Sequence, residues 1–190
     1  DFAPAKLPGF VARIEGNYSR GTSLRTPDYV LGNTGSQVWN AGTTLHYHRP
    51  GLHLTVGYSH YDLRAGIFYG IASSTPAEFA AQLEADAPVG SDAWTQDAAI
   101  DRPFQAVAHD RVMARAEINV GRAGTLTTTY AFQHNRRREF EQTRASVEGP
   151  QYEFVLRTHS LDLAFDHSSL FIGPLSLRGG LGASGSFQEN

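Results

Sequence analysis

Cysteine is absent from the 190-residue chain, so neither a disulfide framework nor a thiolate metal centre can form. An excess of positive charge is missing as well. Only 16 Lys and Arg stand against 19 Asp and Glu, and the basic footprint that a nucleic-acid partner requires is not there. Long apolar runs are missing too: no stretch approaches the ~18 consecutive apolar residues of a transmembrane helix. The N-terminus, Asp1-Phe2-Ala3-Pro4, lacks the basic region and apolar run of a signal peptide, so the expectation is a chain that is mature or cut from something longer. None of these absences bears on a membrane β-barrel, whose strands alternate apolar with polar residues and average out as polar.

What the chain does have is alternation with period two, the mark of a strand with two unlike faces. From Arg111 to Val120, Val112, Ala114, Ala116, Ile118 and Val120 point one way, and Arg111, Met113, Arg115, Glu117 and Asn119 the other. The next segment sets Leu126, Thr128, Tyr130 and Phe132 against Thr125, Thr127, Thr129 and Gln133. Five more segments alternate, led by Phe10–Tyr18, Trp39–Tyr47, Leu52–Tyr58, Leu161–Phe165 and Leu175–Ala183. Several run past the ~5–6 residues of soluble strands.

The connections alternate short and long. Arg49-Pro50-Gly51, Gly121-Arg122-Ala123-Gly124 and Ser168 to Pro174 read as tight turns built on Gly and Pro. Gly21 to Ser36, Phe68 to Pro103 and about Gln142 to Gln151 read as long loops, which places every long loop at one end. Outer-membrane barrels are built this way, with short periplasmic turns and long external loops. Register follows from the pattern: Ile118 faces Leu126 and Ala114 faces Tyr130, while Tyr47 pairs with Leu52 and His46 with His53. Aromatics collect near both strand ends, Phe10, Tyr47 and Phe165 by the turns and Tyr18, Trp39, Tyr58 and Phe132 by the loops, in the manner of two interfacial girdles. Within the longest loop, Thr75-Pro76-Ala77-Glu78 has the form of a capping box, and a packed helix bearing Phe79, Ala80 and Leu83 is expected, ending at Pro88.

Several stretches together resemble one family. They are Gly32-Asn33-Thr34-Gly35 with Trp39-Asn40-Ala41, Tyr58-Ser59-His60-Tyr61, Gly66-Ile67-Phe68, Ile100-Asp101-Arg102-Pro103-Phe104-Gln105 with His109-Asp110, Tyr130 to Arg137, and Thr158 to Leu163. In order and spacing the chain resembles the middle of the barrel domain of TonB-dependent outer-membrane receptors. The resemblance implies an outer-membrane location, a barrel of about 22 strands around a plug, and active uptake of a scarce nutrient of the siderophore-iron, cobalamin or glycan class. It implies as partners lipid and lipopolysaccharide, the plug and remaining strands, and indirectly the TonB complex. The expected fold is all-β: about seven long antiparallel up-and-down strands in an open transmembrane arc, with one short helix in an external loop. Residues 1–190 are expected to be part of the barrel domain, without plug or TonB box, because seven strands cannot close an even-stranded barrel. The alternatives are a small standalone outer-membrane barrel, adhesive or structural, and a soluble β-sandwich binding module whose two apolar faces bury each other.

Arg13, Glu15, Arg111, Arg115, Glu117 and Asp162 lie on the polar side and are expected to face the lumen or plug. His60, Arg136 and Arg137 are the candidates for an external ligand rim, where Arg136-Arg137-Arg138 would attract an anionic ligand or a lipopolysaccharide phosphate. Glu139 and Glu141 partly cancel that field, and a solvated rim is the plainer expectation. His46 and His53 are expected to be a wet, uncoordinated pair rather than a metal site. Ser59-His60 and His109-Asp110 do not make catalytic pairs, because neighbours in a strand point to opposite faces. No enzyme, cofactor or metal is expected.

Overall fold

The computed structural model describes residues 1–68, 70, 75–142 and 146–190, with the side chains at 168, 170 and 172 left aside. Seven strands form one antiparallel sheet in sequence order. They are β1 (Phe10–Gly21), β2 (Ser36–Arg49), β3 (Leu52–Gly66), β4 (Phe104–Asn119), β5 (Thr125–Phe140), β6 (Tyr152–Ile172) and β7 (Leu175–Glu189). Each pairs with its neighbours in sequence, an up-and-down meander consistent with an open arc of a barrel. The two sets of apolar residues that a sandwich would press together, Leu54 with Val56 and Ile118 with Leu126, lie on the same face of this single sheet.

The turns are where they were expected, two of them tighter. Pro50 and Gly51 alone separate β2 from β3, and Gly51 has φ +80°, the Pro-then-left-handed order of a type II turn. That tightness changes the register: Tyr47 pairs with Leu54, His46 with Thr55 and His48 with His53. The expected Tyr47–Leu52 pairing is thus wrong by two residues. A two-residue slip keeps every side chain on its own face, so alternation cannot detect it. Between β4 and β5 the expected Ile118–Leu126 and Ala114–Tyr130 pairs are both present. The third turn is Gly173–Pro174 only, because β6 continues to Ile172 past an irregularity between His167 and Leu170. The stretch 168–172 is therefore strand, not turn.

Helix α1 (Pro76–Glu84) forms with the capping box intact, Glu78 N–H donating to Thr75 Oγ1 and Thr75 N–H to the Glu78 carboxylate. It ends at Ala85, before Pro88. The expected packing does not occur: the helix buries no residue, and Phe79 and Leu83 are exposed. Three apolar positions over little more than two turns make too narrow a stripe to seat it against the sheet.

No apolar residue is buried among the described residues; the deepest side chain is Ser23. The apolar residues instead line one face in continuous rows. One row runs Phe10, Tyr47, Leu54, Ala116, Thr128, Leu163, Ala183, and another runs Ala12, Leu45, Val56, Ala114, Tyr130, Leu161, Gly185. The band is oblique to these rows. On β1 and β2 it reaches up to Tyr18 and Trp39, but their row continues into Asp62 and Arg136, and on β3 and β5 the unbroken apolar run ends at Tyr58 and Phe132, with the stacked Phe104–Phe140 pair standing apart beyond the polar rows. At the turn end the band stops at Phe10 on β1 yet runs on past Ala183 to Leu175 on β7. Both borders descend in the same direction, as they must where tilted strands cross a slab.

Candidate functional site

The face opposite the band carries the expected lumen residues. Strict antiparallel registers put Arg13 level with Thr44, Gly57 and Met113, Glu15 level with Ser59 and Arg111, and Arg115 level with Thr55 and Asp162. With Glu117 beside His53, all six therefore share one side of the sheet. Arg13 pairs with Glu15 at 3.0 Å and Arg115 with Glu117 at 2.6 Å. Both pairs are exposed, so each contributes only ~0–1 kcal/mol; they show a wetted face rather than a stabilised one. Gly57 lacks a side chain at the centre of this face, and a groove of about 300 Å³ opens there between Glu15, Thr44, Ser59, Arg111 and Met113.

Toward the long loops the two faces exchange character. On the band side a polar row appears: Gly16, Ala41, His60, Asp110, His134, Arg157, Glu189. On the other side Val38, Leu63 and Val107 stand in one row. Asp110 is the centre of the polar row. Its carboxylate accepts from Tyr58 Oη at 2.6 Å, contacts His60 Nδ1 at 2.8 Å, and lies 4.0 Å from His134 Nδ1. His60 also lies against Trp39, with centroids 4.6 Å apart and planes tilted by 34°. The His60–Asp110 pair joins halves of two dipeptides that are each useless alone, and adjacency in sequence gave no sign of it. Ser59 points to the opposite face from His60, so the pair has no hydroxyl from that neighbour.

The expected ligand rim does not converge. His60 and Arg136 lie on the band side, Arg137 on the other. Arg136 is paired with Glu153 and Arg137 with Glu139, each at 2.6 Å. The arginine run is thus divided between the faces, and these two members are each matched by a carboxylate.

What converges instead is the loops, through two residues not singled out from the sequence as site residues. Asn33, at φ +59°, donates its amide to the carbonyls of Ile67 and Pro103 and accepts from Asp101 N–H at 2.7 Å, tying the first long loop to both ends of the second. Arg102 donates to Gln151 Oε1 and to the carbonyls of Val147 and Gly149, tying the second loop to the third. Its guanidinium also lies 5.4 Å from the Phe140 ring centroid. Ser23 N–H reaches Asp97 O, and an added Cβ on Gly32 would collide with the Trp94 indole. Gly32-Asn33 and Asp101-Arg102 therefore act as fasteners between loops.

Comparison with known family models, curated proteins and solved structures finds no match for this chain. Its site is read from its own geometry. The fastened loops frame an open pocket of about 200 Å³ between Gly32, Asn33, Trp94, Thr95, Asp97 and Asp101. The Thr95 hydroxyl and the Ala99 amide both donate to Asp97 and hold its carboxyl below the ordinary range. Among the described residues no group of three or more His, Asp or Glu is placed to hold a metal.

Proposed function

We propose that this sheet is a section of the wall of an outer-membrane β-barrel, and that the protein is an active-uptake receptor for a siderophore-iron, cobalamin or glycan nutrient. One observation carries the barrel reading: the apolar residues form an exposed oblique band, and nothing among the described residues buries them. Ile14 is 82% exposed and Leu181 81%. Soluble monomers rarely expose contiguous apolar patches beyond ~300–600 Å², whereas lipid is a solvent in which such a face is stable. From Phe10 to Tyr18 and from Trp39 to Tyr47 the band matches the ~9–11 residues that a tilted strand needs to cross the hydrocarbon. The polar rows of the opposite face then line a wet lumen. The receptor reading draws on the fastened loops at one end and on the family resemblance.

The chain has no cysteine, so single cysteines placed in it report position against the unsubstituted protein as the background control. In outer membranes containing the whole protein, Arg13→Cys and Thr55→Cys are expected to react with a water-soluble maleimide, and Ile14→Cys and Val56→Cys to resist it. Equal labelling of the two sets would overturn the membrane assignment. The receptor assignment is tested separately: cells lacking the protein should lose energy-dependent accumulation of one of the three nutrient classes. Unchanged uptake of all three removes that assignment and leaves the barrel standing.

A further inference from the structure

We infer that His48 and His53 form a binding site for a first-row transition-metal dication, Cu(II) above Zn(II). The pair is set by the Pro50–Gly51 turn, which makes His48 and His53 direct cross-strand partners. Their Nδ1 atoms are 3.1 Å apart, with ring centroids at 4.0 Å and planes at 67°. Without metal, one Nδ1–H donates to the other ring. When both rings carry their proton on Nε2, two lone pairs occupy the same space. A cation at ~2.0–2.1 Å from each nitrogen would subtend about 100° between them, within the range of tetrahedral and tetragonal geometries.

Imidazole is a ligand suited to copper, nickel and zinc, and in a site without further selection affinity peaks at Cu(II). Both rings are exposed, so water completes the coordination sphere. Glu117, level with His53 on β4, is the nearest carboxylate by register, and it is held by Arg115 at 2.6 Å. The tight turn orders the two ligands before the ion arrives, which lowers the entropic cost of chelation. His46 is not part of the site, because its Nδ1 bonds Thr55 Oγ1 at 3.1 Å. The site lies on the polar face beside the turn and does not rest on the membrane or receptor readings.

The test is titration of the whole protein with Cu(II) and with Zn(II), read by calorimetry and by electron paramagnetic resonance of the copper form. Loss of an outer partner of a ligand already weakens metal sites by about 10–100-fold, so His48→Asn and His53→Asn should each weaken binding at least tenfold, and His46→Asn should leave it unchanged. The wild-type copper spectrum should show hyperfine coupling to two imidazole nitrogens, a result independent of how well the variants fold. Coupling to a single imidazole overturns the proposal. So does undiminished affinity in the His48→Asn, His53→Asn double variant, or no binding by the wild type above a histidine-free control.

Discussion

Asn33 suits its place for two reasons that rarely coincide. Its backbone sits at φ +59°, a left-handed conformation that Asn tolerates better than other non-glycine residues. Its side chain has both donor and acceptor atoms, and all three of its bonds reach the second loop. Asn33→Ala should therefore cost about 2 kcal/mol: three lost bonds at the lower end of ~0.5–1.5 kcal/mol each, because the site is partly wet, and a smaller further cost because Ala tolerates the left-handed region less well than Asn. The direct readout is hydrogen exchange at Asp101 N–H, which donates to Asn33 Oδ1. Faster exchange there, with β3 and β4 amides unchanged, is expected; unaltered exchange would remove Asn33 from its role as a fastener. Asp110 makes the same kind of link on the band side, joining Tyr58 and His60 of β3 to β4.

Among the elements, the turns carry the specificity and the long strands carry the mass. Gly51 and Gly124 both have positive φ, +80° and +135°, but their surroundings differ. An added Cβ on Gly51 would approach only Asn119 Cβ at 3.7 Å, whereas on Gly124 it would overlap the Asp166 carbonyl of β6. Gly51→Ala is expected to cost ~1–2 kcal/mol from backbone conformation alone. Gly124→Ala should cost more, because the third strand must also move away. Urea unfolding of the two variants in the same lipid or detergent checks the order, and equal midpoints would show that β5 and β6 yield at this point. Helix α1 is an element of the opposite kind: its capping box determines that it forms, and nothing in it determines where it docks.

For the molecule as a whole, the decisive quantity is the oblique band. Val56 and Thr55 are neighbours on β3, with similar secondary-structure context and opposite faces. If the band faces lipid, Val56→Arg places a cation near the bilayer midplane and costs ~2–4 kcal/mol, whereas a lumen substitution costs far less. Thr55→Arg is accordingly expected to fold and insert almost as the parent does. Comparable destabilisation by both, measured by urea titration from lipid vesicles, would count against the lipid-facing assignment. The exchange of character toward the loops, with His60, Asp110 and His134 on the band side and Val38, Leu63 and Val107 opposite, marks where the strands leave the slab in this reading.

Alternation along the chain was enough to determine seven two-faced strands and the shared face of Arg13, Glu15, Arg111, Arg115, Glu117 and Asp162, because side-chain direction in a strand repeats every two residues, and the Gly and Pro positions divided the connections into tight turns and long loops. The β4–β5 register is the expected one, with Ile118 opposite Leu126. The β2–β3 register did not, because a slip of two residues leaves the pattern intact and only the backbone geometry of Pro50 and Gly51 discriminates. That slip replaced a His46–His53 pair by His48–His53. The helix was legible from Thr75 to Glu78, its lack of a seat was not. Tertiary structure alone decided the His60–Asp110 pair, the splitting of Arg136 from Arg137 between faces, and the fastening by Asn33 and Arg102. Each depends on residues far apart in the chain meeting across strands or loops, and local periodicity carries no information about which distant backbone a side chain will reach.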